Sequence, residues 1–164
     1  MCDEFIESGY KFDFSSSLKS YKAEKICEKT YPLVDFVVET EDNFLLIEVK
    51  NPDHQKSNDK NRETFLNRTN KVQFHEKMSE NYKNTLLRMS LENDFFRKTV
   101  VCIFILECKQ FSSFERIVLY GNINNKIPYF LNQLSKKQVI AKFKILSIEE
   151  FRNEYPCFSV IPIN

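Results

Sequence analysis

An α/β (α+β) fold, a central mixed β-sheet flanked by helices, follows from three features of the sequence. Runs rich in β-branched and aromatic residues at 31–39, 44–50, 99–107 and 139–146 read as strands. The stretch Glu63 to Leu91 carries apolar residues at helical spacing. The two patterns alternate in the order α β β α β α β α, which suits a layered domain in which helices cover a sheet.

Ser15 to Thr30 opens with three serines able to cap a helix and holds Leu18, Tyr21, Ile26 and Cys27, which predicts a first helix. Tyr31 to Glu39 and Phe44 to Lys50 are nearly continuous apolar runs around the polar turn Glu41-Asp42-Asn43, and predict a hairpin covered on both faces. Asn51 to Arg62, with Pro52 its one apolar residue, reads as a loop. Val72, His75, Met78, Tyr82, Leu86 and Met89 then mark the buried stripe of one long helix over Glu63–Leu91, with Lys71, Lys77 and Lys83 on its wet face. On that stripe, His75 reads as a core histidine bonded to backbone. Thr99 to Glu107 is a central strand. A helix begins at Ser112, is interrupted near Gly121-Asn122, and is followed by a helical piece around Tyr129 to Lys136. Val139 to Leu146 is a strand, and Ser147-Ile148-Glu149-Glu150 is a capping box that opens the last helix.

At 164 residues the chain is sized for a single domain, 1–164, with one sizeable core. Sixteen Phe and seven Tyr with only two Gly exclude a disordered or low-complexity chain. No apolar run reaches the roughly 18 residues of a membrane span. The acidic start Met1-Cys2-Asp3-Glu4 lacks the basic and apolar regions of a signal peptide, so a cytoplasmic location and no membrane partner are expected. Five scattered Cys with no CxxC pair argue against zinc and for reduced core thiols. The net charge of +1 hides an asymmetry: residues 1–49 carry 5 Lys/Arg against 11 Asp/Glu, and the remainder is basic. That arrangement suits a carboxylate site set within a surface that faces a polyanion.

The chemistry concentrates in Val34-Asp35 and Leu46-Ile47-Glu48-Val49-Lys50. Residues two apart on a strand share a face, so Glu48 and Lys50 project together, and the hairpin brings Asp35 near them. Two carboxylates provide hard oxygen ligands for Mg²⁺ or Mn²⁺, and a lysine beside them can orient or deprotonate a water and stabilise charge in a transition state. Solvated charges at a hairpin end, with Glu48 and Lys50 as an ion pair, are the plainer reading of the same residues.

Asp35, twelve further residues and then Glu48-x-Lys50, on a hairpin behind a helix, resembles the PD-(D/E)xK nuclease superfamily and its restriction-endonuclease-like fold. The resemblance is strongest over residues 15–52. It implies that Asp35, Glu48 and Lys50 take the catalytic positions, with Asp35, Glu48 and the Val49 carbonyl as Mg²⁺ (or Mn²⁺) ligands. It also implies an acidic residue from the first helix, for which Glu24 is preferred over Glu28. The tail Leu146 to Phe151 through Tyr155-Pro156 is similar to the end of small stand-alone bacterial proteins with this core.

The chain departs from the family pattern in places. Val34 stands where the family has Pro, with Pro32 nearby. Pro52-Asp53 follows Glu48-x-Lys50 and so reads as a turn, and Gln73 and Tyr82 are spaced wrongly for the family branch that uses Gln and Tyr. The activity implied is metal-dependent hydrolysis of DNA in restriction, repair or mobile-element defence. His54, Lys56, Lys60 and Arg62, continuing to Arg68 with Asn51, Asn58, Asn61 and Asn67 interleaved, are candidates for phosphate contacts; diluted by Asp53, Asp59 and Glu63, the run reads equally as an ordinary solvated loop. The alternative is a catalytically idle nuclease-fold subunit that acts as an interaction or nucleic-acid-binding module. The absence of a separate DNA-reading segment and the near-zero charge favour a homodimer or a partner subunit that supplies specificity.

Overall fold

The structure is a computed structural model that describes residues 4–23, 31–54, 57–91, 97–135 and 137–163. In chain order its elements are β1 (Glu4–Glu7), β2 (Tyr10–Asp13), β3 (Lys19–Lys22), β4 (Phe36–Glu39), β5 (Asn43–Lys50), α1 (Asp59–Thr69) and α2 (Val72–Leu91). They continue with β6 (Thr99–Leu106), α3 (Ser113–Asn124), α4 (Leu131–Leu134), β7 (Ile140–Leu146), α5 (Ile148–Glu154) and β8 (Ser159–Pro162).

Among the described residues the strands form two sheets, ordered β3-β4-β5-β6-β7 and β1-β2-β8. In the larger sheet β3, β4 and β5 run antiparallel, while β5, β6 and β7 are parallel, so the sheet is mixed and flanked by helices as the sequence predicts. The parallel pairings need crossover connections, which α1 and α2 supply between β5 and β6, and α3 and α4 between β6 and β7. Side-chain alternation divides the core. Leu46, Val100, Cys102 and Phe104 pack with Tyr82, Leu86, Leu119 and Ile123 of α2 and α3. Leu45, Ile47, Val101, Ile103 and Ile105 face Phe12, Val160 and Phe151 of the small sheet and α5. Both faces of β5 and β6 are therefore dry, which accounts for their nearly continuous apolar sequence.

The first helix expected over Ser15–Thr30 is not formed in its described part. Lys19–Lys22 is instead the edge strand β3, paired with β4 so that Tyr21 lies opposite Val37. Apolar residues are too sparse here for a helical stripe, Leu18 remains 61% exposed, and lysines at both ends suit a sheet margin. Residues 24–30 lie outside the described residues. The long helix over Glu63–Leu91 is two helices broken at Asn70-Lys71. The first of them begins at Asp59, inside the expected loop, because Asn58 caps it by accepting from the Asn61 N–H. The break lets buried His75 donate to the Thr69 carbonyl at 2.7 Å, the backbone-bonded core histidine the sequence predicts. α3 runs through Gly121 without interruption: its Ser112–Glu115 capping box and buried Leu119 and Ile123 outweigh a glycine cost of about 1 kcal/mol. The capping box at Ser147 opens α5 as expected. Of the described cysteines, Cys102 is a core thiol, but Cys108 is only half-buried and Cys157 is exposed.

The small sheet has no counterpart in the sequence reading. Its hairpin turns at Ser8 and Gly9, with φ of 50° and 82°, the two successive positive values that tight type I′ hairpins need. It is anchored by aromatic rings. Phe14 sits within 5.2–6.1 Å of Phe5, Phe12, Phe36 and Phe158, centroid to centroid, and is fully buried. Phe14→Ala should lower stability by about 3–5 kcal/mol, read as a fall in the urea midpoint with an unchanged m-value. A loss below about 1 kcal/mol would mean that the aromatic cluster does not tie the two sheets together.

Candidate active site

Period-two alternation decides which side chains meet. Phe36 pairs with Ile47 in the antiparallel register of β4 and β5, and extending that register sets Asp35 opposite Glu48. Val37 and Leu46 face α2, so Asp35, Glu48 and Lys50 belong to that same face, at the carboxyl end of β5. Glu48 is 2% exposed and Asp35 4%, while Lys50 reaches partly into solvent.

The geometry ties the three together. Lys50 Nζ lies 2.6 Å from Glu48 Oε1, and Asp35 Oδ2 accepts the Val49 N–H at 2.7 Å. Lys50 Nζ also donates to the Val49 carbonyl at 3.2 Å. Segment 32–34, which delivers Asp35, is clamped to α2: the Val34 N–H donates to Thr85 Oγ1 at 3.1 Å, and Asn84 Nδ2 donates to the Pro32 carbonyl at 3.1 Å. The Ala23 N–H holds the Asp35 carbonyl from β3's side at 3.0 Å.

Burial pushes the Asp35 carboxyl up to about 8, with the neighbouring Glu48 carboxylate adding to the shift and Lys50 opposing it. For Lys50, burial works against the charge, but the carboxylates of Glu48 and Asp35 outweigh it and hold the ammonium above its ordinary range. Lys50 is therefore a cation here, suited to orienting and stabilising negative charge rather than to taking a proton.

Three contributors are absent from the sequence reading, and all come through the β1–β2 hairpin. Glu7 adds negative field at Asp35 and Lys50, and its carboxylate is held by Lys22 Nζ at 2.7 Å. Ser8 Oγ reaches the Val49 carbonyl at 3.4 Å, and its own carbonyl accepts from Asn51 Nδ2 at 2.9 Å. Gly9 is crossed by the His54 ring so closely that a Cβ there would collide with the imidazole. The Ser8-Gly9 pair ahead of an alternating strand was the available turn signal.

The proposed phosphate contacts divide. Lys60 is exposed on the first turn of α1. Arg62 is paired with acids on its own side, 3.1 Å from Asp53 and 2.7 Å from Asp59, which offsets the charge it would present to a phosphate. His54 packs on the hairpin turn beside the site rather than standing in an open loop. Glu24, Glu28 and Lys56 lie outside the described residues. Beside Lys50 opens a cleft of about 340 Å³ whose walls include Asn51, Asn61, Phe65 and Arg68.

Among the described residues no group of three or more His, Cys, Asp or Glu gathers to hold a metal, and no helix is long and apolar enough to cross a membrane. The donor set at this site is the Asp35 and Glu48 carboxylates with the Val49 carbonyl. It is all hard oxygen, and it suits a small divalent cation that keeps several of its waters.

The raised Asp35 value has a stability consequence. Its unfolded carboxyl titrates near 3.8, so the folded protein loses stability as pH rises from about 4 to 8. Asp35→Asn keeps an acceptor for the Val49 N–H and removes that loss. In a chelator-containing buffer its melting temperature should gain on the wild type steadily across pH 4–8 and level off above. Each kcal/mol of advantage corresponds to roughly 2–4 °C in a domain of this size. A pH-independent difference would show that the carboxyl is not held neutral by burial.

No family model, curated protein or solved structure matches this chain.

Proposed function

We propose that this chain is a divalent-metal-dependent nuclease of the PD-(D/E)xK kind, hydrolysing phosphodiester bonds of DNA on a restriction-endonuclease-like fold. The observation that carries the reading is the convergence of two buried carboxylates, Asp35 and Glu48, with the Lys50 ammonium at the end of an otherwise apolar strand. Burying two acids side by side is costly, and a site that recruits a dication recovers that cost.

Asp35, Glu48 and the Val49 carbonyl would hold the metal. When bound, Mg²⁺ or Mn²⁺ supplies a Lewis acid that neutralises phosphate charge and acidifies water. The chain's own groups account for the rest. Lys50, held as a cation, orients the attacking water and the phosphate and stabilises the charge that builds on the phosphorane oxygens. The Val49 N–H fixes the Asp35 carboxylate in one orientation. Tyr82, fully buried on α2 and donating its hydroxyl to the Ile103 carbonyl at 2.8 Å, lies near enough to feel the charges of Glu48 and Asp35 and adds to the dry surroundings of the acids.

A catalytically idle subunit is the second reading, and one observation favours it. Phe114 and Ile117 stand 74% and 68% exposed on α3, an apolar face of the kind that partners cover.

Thermal unfolding with and without Mn²⁺ separates the two. A ligand at ten times its dissociation constant adds about 1.4 kcal/mol, which is a rise of roughly 3–6 °C here. The wild type should show it, and Asp35→Ala and Glu48→Ala should lose it. Lys50→Ala should keep most of the shift while losing DNA cleavage. No shift in the wild type at millimolar Mn²⁺ would favour the idle subunit, and cleavage by Lys50→Ala would refute the role given to that lysine.

A further inference from the structure

The cleft beside Lys50 carries its own chemistry. It is about 340 Å³, near the lower end of the roughly 300–1,000 Å³ typical of small-molecule sites. Lys50, Arg68, Asn51 and Asn61 line it and supply cationic and amide donors. No carboxylate is among its described lining residues, although both the strand end and α1 carry acids close by. Arg62, one turn and a half earlier on α1, is held by Asp53 and Asp59, which leaves Arg68 as the arginine that serves the cleft. Phe65 lines the cleft as its aromatic element. Its ring is braced edge-on against Phe74 at 5.8 Å, and Phe74 is packed in turn against Phe104 and His75 of the core. That ring is therefore a fixed wall rather than a loose side chain.

An acid-free, donor-lined cleft takes a phosphate-bearing ligand, and a fixed aromatic wall takes the π-face of a base. The volume accommodates about one nucleotide. A base within a duplex is stacked on both faces, so only an unpaired nucleotide can present a face to Phe65. Resting on the nuclease reading above, we propose that this cleft seats one unpaired nucleotide beside the scissile phosphate, with the base against Phe65 and the phosphate on Arg68. The substrate of this site is then single-stranded nucleic acid, or a strand locally opened, rather than intact duplex.

Binding can be read without turnover. In chelator, the fluorescence anisotropy of a labelled oligothymidylate of about 12 nucleotides is compared with that of the same strand annealed to oligoadenylate. The single strand should bind the wild type at least about tenfold more tightly than the duplex. Phe65→Ala should weaken single-strand binding by roughly 5- to 150-fold, the equivalent of one lost base stack, and Phe65→Tyr should restore it. Arg68→Ala should reduce the dependence of log K on log salt by about 0.7, one single-strand phosphate contact. Circular dichroism and melting of each variant establish that it is folded.

Equal affinity for duplex and single strand would overturn the proposal, as would a folded Phe65→Ala variant with unchanged single-strand affinity. If the wild type binds neither probe yet keeps its Mn²⁺-dependent melting shift, the cleft assignment fails while the nuclease reading stands. Loss of that shift as well removes both.

Discussion

A carboxylate near the end of a strand that is dry on both faces has to be compensated within hydrogen-bond reach, or the strand cannot remain buried. Glu48 meets that condition through Lys50, two residues on and so on the same face, with 2.6 Å between the charged atoms. Asp35 arrives opposite through the hairpin register and has only part of a partner, the Val49 N–H. The remaining imbalance appears as a carboxyl driven up to about 8 by burial and by the acid beside it. An apolar residue there would spare the fold that cost, which is why the nuclease reading proposed above rests on this pair.

The surrounding elements hold that imbalance in place. The backbone leading into Asp35 is pinned from one side by Thr85 and Asn84 of α2 and from the other by Ala23. The β1–β2 hairpin approaches the site through Ser8 and Gly9, and His54 packs so closely on Gly9 that a Cβ there would force the imidazole to move. The hairpin is held at its far end by the ring cluster around Phe14 and Phe36, so the aromatic packing that ties the two sheets together also sets the position of Glu7 and Ser8 at the site. Stability and site geometry thus share one set of contacts.

The charge asymmetry along the chain acquires a spatial meaning in the fold. The acidic first third contributes Asp35, Glu48 and Glu7, and the basic middle contributes Lys50 and Arg68. They meet at the carboxyl end of β5, where the chain leaves the parallel part of the sheet and enters the α1–α2 crossover. Ligands of open α/β sheets characteristically bind at such strand ends, because the backbone diverges there and leaves a crevice.

The hairpin, the central strand Thr99–Leu106, the α2 stripe, the helix start at Ser112 and the capping box at Ser147 were legible in the sequence, because each depends on local periodicity or on a side chain reaching three residues along. That Asp35, Glu48 and Lys50 share one face was legible for the same reason, since strand alternation and a short turn place all three on the same side. Lys19–Lys22 was not, because four residues with one aromatic gain their strand state only by pairing with β4. The small sheet escaped likewise: β8 closes it from the opposite end of the chain, through pairings such as Phe12 with Val160 that no local window contains. Tertiary structure alone decided that Glu7 and Ser8 join the site, that Arg62 is spent on Asp53 and Asp59, and that Arg68 and Phe65 line the cleft. Sequence alone determines which residues share a face of an element, because backbone geometry is periodic. Which faces meet depends on long-range packing that closes only when the whole core is assembled.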